Sequence, residues 1–258
     1  MSRQPPLRVV QRNEGLLQRL RALKAEHPFR GYRRIWAYLC FVDQQPANKK
    51  RILRLMREHA LLVPPKQRLK AKRTPTRSKP KPSRPKEWWG MDMTKVLVQD
   101  VGWVYSVVVI DWYTKVIVGS YAGIRCTAPH WLSALNMALN RQFPEGVQGQ
   151  APSLMSDNGC QPTSVACMKA CSTLGVYQAF TSYNNPKGNA DTERFMRTFK
   201  EECLWLQEWT CPLALFEVLT YWINQYNEHY LHSALGYKSP SQFEREYHSS
   251  HGTQLPAA

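Results

Sequence analysis

The order of apolar segments after residue 88 restricts the fold more than any other feature of this sequence. Alternating or continuous apolar residues predict five strands, at 89–98, 102–110, 115–121, 153–155 and 176–181. Helical spacing predicts helices at 129–141, 164–174, 189–206 and 212–230, with a short one after Pro240. Because the first three strands have short connections, we expect an antiparallel meander that opens a βββαβαβα order. This order predicts an α/β domain with a mixed sheet.

Three carboxylates occupy distinct places in this pattern. Asp92 lies inside the first strand, and Asp157 lies in the polar turn Ser156-Asp157-Asn158-Gly159 after the fourth. Glu193 follows 35 intervening residues later, on the helix after the fifth strand. The βββαβαβα order is that of the ribonuclease-H-like fold, whose first and fourth strands are neighbours. We therefore expect Asp92 and Asp157 to meet, with Glu193 delivered to the same edge of the sheet.

An all-carboxylate set predicts a hard divalent cation, Mg²⁺ or Mn²⁺, which prefers oxygen ligands. Two such ions, about 3.5–4 Å apart, can activate an attacking oxygen and stabilise a leaving one during phosphodiester cleavage. The location of Asp92 favours a functional role, because burying an unpaired acid in an apolar strand costs free energy. Asp157 has the alternative of a simple turn former. Glu193 has the alternative of a surface acid, and its competitors are Asp191, Glu201 and Glu202.

Two cations follow Glu193 at helical spacing. Arg197 and Lys200 lie at i+4 and i+7 from Glu193, on the same predicted helix face. Arg197 is interpreted either as an ion-pair partner of Glu193 or as a DNA contact, and Lys200 as a phosphate contact in the cleft. Two further acids, Asp100 and Asp111, flank strands at turns and are interpreted as structural.

The positive charge is confined to the first third of the chain. Residues 1–86 contain 24 Lys/Arg and four acids, whereas residues 87–258 contain 11 Lys/Arg and 15 acids. This split predicts an anchor for a polyanion joined to a catalytic body; the alternative is a basic tail kept for solubility. Residues 64–86 hold six Pro, ten Lys/Arg and no acid, which predicts an extended linker that neutralises phosphates or acts as a plain spacer.

The basic front also has helical patterning. Helices are predicted at 14–26 and 48–59, with an apolar stripe in 29–39 between them. Asn48 is the expected N-cap of the later helix, whose predicted buried face includes His59. A tight turn before a basic helix predicts a helix-turn-helix-like DNA-binding region, and the alternative is a three-helix bundle with a solvated charged face. The predicted DNA-binding residues are Arg33, Arg34, Lys49, Lys50, Arg54, Arg57, Arg197 and Lys200.

Several classes are excluded by composition. No apolar run reaches the length of a membrane span, and residues 1–10 do not resemble a signal peptide. Seven scattered cysteines without a C-x-x-C pair argue against a disulfide framework or zinc site and fit a reducing cytoplasm. The expected organisation is a helical DNA-binding region at 1–63, a linker at 64–86, a catalytic core at 87–248 and a disordered tail at 249–258.

Several short motifs, in a fixed order, make the chain similar to one family. The chain resembles the second-frame (OrfB) transposases of bacterial insertion sequences, whose catalytic core is similar to retroviral integrase. The motifs are Gly31-Tyr32-Arg33-Arg34-Ile35-Trp36, Arg54-Leu55-Met56-Arg57, Trp89-Gly90-Met91-Asp92-Met93-Thr94, Ser156-Asp157-Asn158-Gly159, Asn189-Ala190 with Glu193, Lys200 with Glu202, Tyr226-Asn227-Glu228 and His232-Ser233-Ala234-Leu235-Gly236-Tyr237-Lys238-Ser239-Pro240.

The resemblance implies a DDE acid triad at Asp92, Asp157 and Glu193 with Mg²⁺ or Mn²⁺, as two ions. It implies nicking of double-stranded DNA at the element ends, followed by attack of the freed 3′-OH on another phosphodiester. It also implies a homo-oligomer on DNA, an upstream-frame partner or fusion, and a bacterial cytoplasmic location with nucleoid association when DNA is bound. The alternatives are a catalytically inactive DNA-binding relic or regulator and a structure-selective nuclease of the same fold.

Overall fold

The computed structural model describes residues 7–64, 80–147, 149–181 and 189–252, with side chains described from residue 11. The chain divides into two compact units, one of residues 1–71 with 231–237 and the other of residues 72–230 with 238–258. Most of the predicted linker, the loop at 183–188 and the last six residues lie outside the described residues.

The first unit is helical, with α1 at Leu7–Glu26, α2 at Tyr32–Phe41 and α3 at Lys49–Glu58. Its core is formed by Leu16, Leu20, Leu23, Ile35, Leu39, Ile52, Leu55 and Met56. The predicted N-cap is confirmed, since the Asn48 side chain accepts a hydrogen bond of 2.8 Å from the Lys50 amide. The prediction that His59 is buried is wrong, because the chain leaves the helix at this residue and its side chain is exposed.

The second unit contains the predicted five-stranded mixed sheet. Its strands are β1 at Trp88–Val98, β2 at Gly102–Asp111, β3 at Ile117–Gly123, β4 at Ser153–Ser156 and β5 at Tyr177–Phe180. They lie in the order β3-β2-β1-β4-β5. The first three strands pair antiparallel, and β4 pairs parallel with both β1 and β5. The meander and the neighbouring first and fourth strands are therefore confirmed.

Helices cover both faces of this sheet. They are α4 at Ala128–Gln142, α5 at Val165–Thr173, α6 at Ala190–Phe199, α7 at Pro212–His229 and α8 at Pro240–His251. Side chains alternate along β2, so Val107 and Val109 pack with α4 and α5, whereas Val108 and Ile110 pack with α6 and α7. No helix among the described residues is both long and apolar enough to cross a bilayer.

The predicted long helix at 189–206 is wrong beyond residue 199. The α-helix ends at Phe199 and continues as one wider π turn over Lys200–Leu204, closed by the Trp205 amide donating to the Lys200 carbonyl. Cys203 and Leu204 are buried in the same core as Phe199. The wider turn changes the helical phase, which keeps both side chains directed into the core.

Helix α8 places an acid in a partly buried charged cluster. Burial, together with the negative charge of Asp111, raises the pKa of Glu244 to about 7, although Arg141 and Lys86 oppose the shift. Lys86 itself is fixed, because its amide donates to Asp111 (2.7 Å) and its ammonium to the Gln142 carbonyl (2.7 Å). The docking of α8 therefore includes a carboxyl group that is easier to protonate in the folded state than in the unfolded chain.

We expect Glu244→Gln to stabilise the protein at pH 8 by about 1–3 kcal/mol. A raised folded-state pKa contributes stability that is fully present below the unfolded value and is lost as pH rises through about 7. Parent and variant should therefore converge near pH 4. Urea unfolding across this pH range measures the difference. The control is Glu246→Gln on the exposed side of α8, where the carboxylate pairs with Lys238 and no gain is expected; an equal gain there would contradict this account.

Candidate active site

Asp92 lies on β1, with its carboxylate Oδ1 accepting a hydrogen bond of 2.7 Å from the Met93 amide. Burial raises its pKa to about 6. The charges of Asp157 and Glu193 contribute to this rise, and the Met93 hydrogen bond and the charge of Lys200 oppose it. The charges of both other acids and of Lys200 therefore act on Asp92.

Asp157 directly follows β4, the strand that pairs parallel with the strand carrying Asp92. Gly90 is paired with Met155, and each acid follows its paired residue by two positions. The exposed Asp157 carboxylate also accepts a hydrogen bond of 3.1 Å from the Gly159 amide. Asp157 therefore forms the turn, and its exposed carboxylate is also open to a ligand.

Helix α6 approaches β1 closely and carries Glu193. The adjacent residue, Thr192, is fully buried and accepts a hydrogen bond of 2.9 Å from the Trp112 indole nitrogen. A methyl group at Gly90 would overlap both the Thr192 hydroxyl and the Trp112 nitrogen. Glu193 itself is exposed, and partial burial raises the pKa of its carboxyl group. The absence of a side chain at Gly90 therefore allows α6 to lie this close to β1.

The competing acids on this helix have structural partners. Asp191 pairs with Lys115 (3.6 Å), Glu201 pairs with Arg197 (2.8 Å), and Glu202 accepts a hydrogen bond of 3.2 Å from the Tyr230 hydroxyl. The partner of Arg197 is thus Glu201, and not Glu193 as one interpretation had it. Glu193, in contrast, is among the charges that raise the pKa of Asp92.

The two acids interpreted as structural, Asp111 and Asp100, lie in different surroundings. Asp111 is buried, and burial raises the pKa of its carboxyl group. Its carboxylate accepts hydrogen bonds from the amides of Lys86, Tyr113 and Thr114 and from the Trp89 indole. Asp100 lies in the exposed β1–β2 turn with φ of 60°. Both positions agree with the structural interpretation.

The donor set fits a hard divalent cation, although the carboxylates do not form a closed cage. Among the described residues, no group of three or more His, Cys, Asp and Glu side chains is close enough together to hold one ion. Three like charges repel one another, so a cation is needed to draw their oxygens together. The raised pKa of Asp92 indicates a site that a positive charge would stabilise. The exposed positions of Asp157 and Glu193 leave coordination sites accessible to water and phosphate.

The predicted DNA-binding residues of the first unit differ in exposure. Lys50, Arg54 and Arg57 are exposed along α3, and Arg33 is exposed on α2, whereas Arg34 is half-buried. Arg54 has a weak ion pair of 3.8 Å with Glu58 on the same helix. The exposed stripe on α3 agrees with the predicted basic face.

Lys49 differs from the rest of the stripe. Its ammonium lies 3.9 Å from the centre of the Trp36 ring and donates a hydrogen bond of 3.3 Å to the Tyr237 hydroxyl. Tyr237 also packs against Trp36 and Phe41. Lys49 is thus committed to an aromatic cluster inside the first unit, a role that its place in a basic run did not indicate.

Sequence reasoning missed Gly90, Thr192 and Trp112, which position the acids without being acidic themselves. One signal was available, because a glycine inside an apolar strand often marks a close approach of another segment. No local pattern connects Trp112 with Thr192, since 80 residues separate them.

Comparisons with known proteins agree with this architecture. Two sequence profiles described as integrase core domain match residues 82–186 and 174–240, and one described as HTH-like domain matches residues 11–68. The chain is 30% identical over 247 residues to an uncharacterized 31.7 kDa protein of insertion element IS407 from Burkholderia multivorans, covering 95% of this chain and 86% of the relative. It is 25% identical over 253 residues to transposase InsD of insertion element IS2 from Escherichia coli, covering 90% and 78%.

A solved structure gives the same fold. A chain in the simian T-cell lymphotropic virus intasome with PP2A regulatory subunit B56 gamma matches with a TM-score of 0.54 and 18% identity, over 82% of this chain and 71% of that one. The sheet and the profile matches define the class as an integrase-core polynucleotidyl transferase. The chain belongs to the family of insertion-element transposases with an integrase core, preceded by an HTH-like domain.

We expect Gly90→Ala to destabilise the protein by about 1–3 kcal/mol, because the added methyl group must displace Thr192 or Trp112. The same displacement moves Glu193 away from Asp92, so strand-transfer activity should fall as well. Chemical denaturation and a strand-transfer assay measure the two effects. Gly15→Ala is the control, since nothing lies within 4 Å of a methyl group there and a helical alanine is favoured. Unchanged stability of the Gly90 variant would show that α6 does not depend on this close approach.

Proposed function

We propose that this transposase uses Asp92, Asp157 and Glu193 to hold Mg²⁺ or Mn²⁺ while it nicks DNA at the element ends and joins the freed 3′-OH to target DNA. The observation that supports this most strongly is the environment of Asp92, whose pKa is raised by burial and by both other acids. A buried acid beside two like charges costs stability unless a cation offsets them.

The three acids and Lys200 would have separate tasks. Asp92, held on β1 by the central sheet, would hold the cations together with Asp157 and Glu193. When bound, the cations would activate the attacking oxygen and stabilise the leaving oxygen. Lys200, whose charge acts on Asp92, would bind a phosphate of the DNA strand at the site.

The first unit would bind the element ends. The exposed residues Lys50, Arg54 and Arg57 lie on one helix of a region that matches an HTH-like domain. Cations on an exposed helix can bind the phosphates of duplex DNA. We further propose that the protein acts as a homo-oligomer on DNA, with an upstream-frame partner or fusion, in the bacterial cytoplasm and at the nucleoid.

We expect Asp92→Asn to reduce Mg²⁺-dependent strand transfer by about a hundredfold or more, because one metal ligand and one negative charge are lost. Binding to DNA carrying the element ends should stay unchanged. Gel assays with labelled ends measure nicking, joining and binding separately. Asp100→Asn is the matched control, since it makes the same chemical change in an exposed turn where Asn tolerates the positive φ.

The same assay separates the alternative functions. Parent protein that binds the ends without nicking them would favour an inactive regulator, and nicking without joining would favour a nuclease. Equal activity of the Asp92 variant and the parent would contradict the proposed role of Asp92.

We expect Arg57→Ala to lower the slope of log Kd against log salt by about one, because one phosphate contact and its released counterion are lost. Binding should weaken similarly on specific and unrelated DNA. Fluorescence anisotropy over a salt series measures both. Lys169→Ala, which removes an exposed positive charge from α5, should leave the slope unchanged. Equal slopes for the parent and the Arg57 variant would remove α3 from the DNA interface.

A further inference from the structure

We propose that four residues, Trp112, Lys115, Asp191 and Thr192, form a latch that sets the position of Glu193 for metal binding. The inference rests on the proposed function, since it takes Glu193 to be a metal ligand. The latch joins the turn between β2 and β3 to the first turn of α6. None of its members needs to touch the metal or DNA, so each acts as a positioning residue.

The central contact of the latch is a buried hydrogen bond, so water cannot reach either partner to take its place. Trp112 and Thr192 are 2% and 0% exposed, and the indole nitrogen donates to the Thr192 hydroxyl at 2.9 Å. Because both groups are buried, losing either partner leaves the other without its hydrogen bond. The direction of the bond fixes Thr192, and Glu193 is the next residue on the same helical turn.

An ion pair provides a second connection between the same two segments. Lys115 donates to the Trp112 carbonyl at 2.5 Å and lies 3.6 Å from the Asp191 carboxylate. Lys115 therefore connects Trp112, which binds Thr192, to Asp191, which precedes Thr192 in the chain. Two contacts to neighbouring positions restrict rotation of the helix as well as its distance from the sheet.

Within the part of the chain that the structure describes, the start of α6 lacks the usual side-chain cap. Its N-cap, Asn189, makes no side-chain capping hydrogen bond. Gly90 allows the helix to approach β1, because a methyl group there would overlap Thr192 and Trp112. Gly90 leaves the space that α6 occupies, and the latch fixes the orientation of α6 within that space. A shift of about 1 Å at a catalytic group can cost about a hundredfold in rate, so this orientation matters for Glu193.

The test compares Mn²⁺ affinity, read from the free-ion electron paramagnetic resonance signal, in the parent and in defined variants. Thr192→Val removes the hydroxyl with little change in shape, and we expect it to weaken Mn²⁺ binding about tenfold, as the loss of a supporting hydrogen bond does at other metal sites. Thr192→Ser keeps the hydroxyl and should bind Mn²⁺ like the parent. The Mg²⁺ concentration that gives half-maximal strand transfer should rise by the same factor in Thr192→Val.

A double variant separates positioning from stability. In Trp112→Phe combined with Thr192→Val, neither partner is left unpaired, so much of the stability lost in Thr192→Val should return. Mn²⁺ affinity should stay low, because the directional bond is still missing. If affinity recovered together with stability, the latch would be only a structural contact and the proposal would be overturned.

Two controls make the outcome specific. Trp209→Phe removes another buried indole hydrogen bond of 2.9 Å, to the Leu204 carbonyl, and should lower stability without changing Mn²⁺ affinity. Glu193→Gln tests the proposed function itself and should weaken Mn²⁺ binding. If Glu193→Gln bound Mn²⁺ like the parent, Glu193 would not be a ligand and the proposed function would fail. If only Thr192→Val bound like the parent, the latch alone would fail.

Discussion

The burial of the Asp92 carboxylate near two other acids is the constraint on which the rest of the account depends. Asp92 lies on the strand that carries the sheet's antiparallel and parallel pairings; burial raises its pKa most, and the charges of Asp157 and Glu193 add to that effect. Such an arrangement costs free energy that a well-packed neutral residue would not. The cost is understandable if a divalent cation binds there, which is the role we propose for the three acids.

The surrounding fold holds this unfavourable arrangement in place. Parallel pairing of β1 with β4 brings the segment that leads into Asp157 alongside the strand that carries Asp92. Helix α6 is held by burial of Phe195, Met196 and Phe199 against the sheet, on the face opposite α4 and α5. Two layers of apolar packing thus resist the repulsion, so the acids can remain near one another while two of them stay open to solvent.

The succession of strands and helices along the chain, and the place of Asp92 within a strand, could be predicted because both depend on local apolar periodicity. That β1 and β4 are neighbours was expected only from the likeness of this succession to the ribonuclease-H-like fold. The end of α6 could not be predicted, since the change to a π turn at Lys200 depends on where Cys203 and Leu204 meet the core. The contact of Lys49 with Tyr237 could not be predicted for a related reason. Its partner Tyr237 lies 188 residues away, so a run of basic residues gave no sign of that contact. Interactions between distant segments decide these features, and a single sequence does not contain them in readable form.

The most direct measurement of the central claim is the anomalous scattering of Mn²⁺ in crystals of this protein. The account predicts a manganese peak within about 2.5 Å of a carboxylate oxygen of Asp92, with a further oxygen supplied by Asp157 or Glu193. A peak held by other acids, such as Asp191 or Glu202, or no peak beside Asp92 at saturating Mn²⁺, would contradict it.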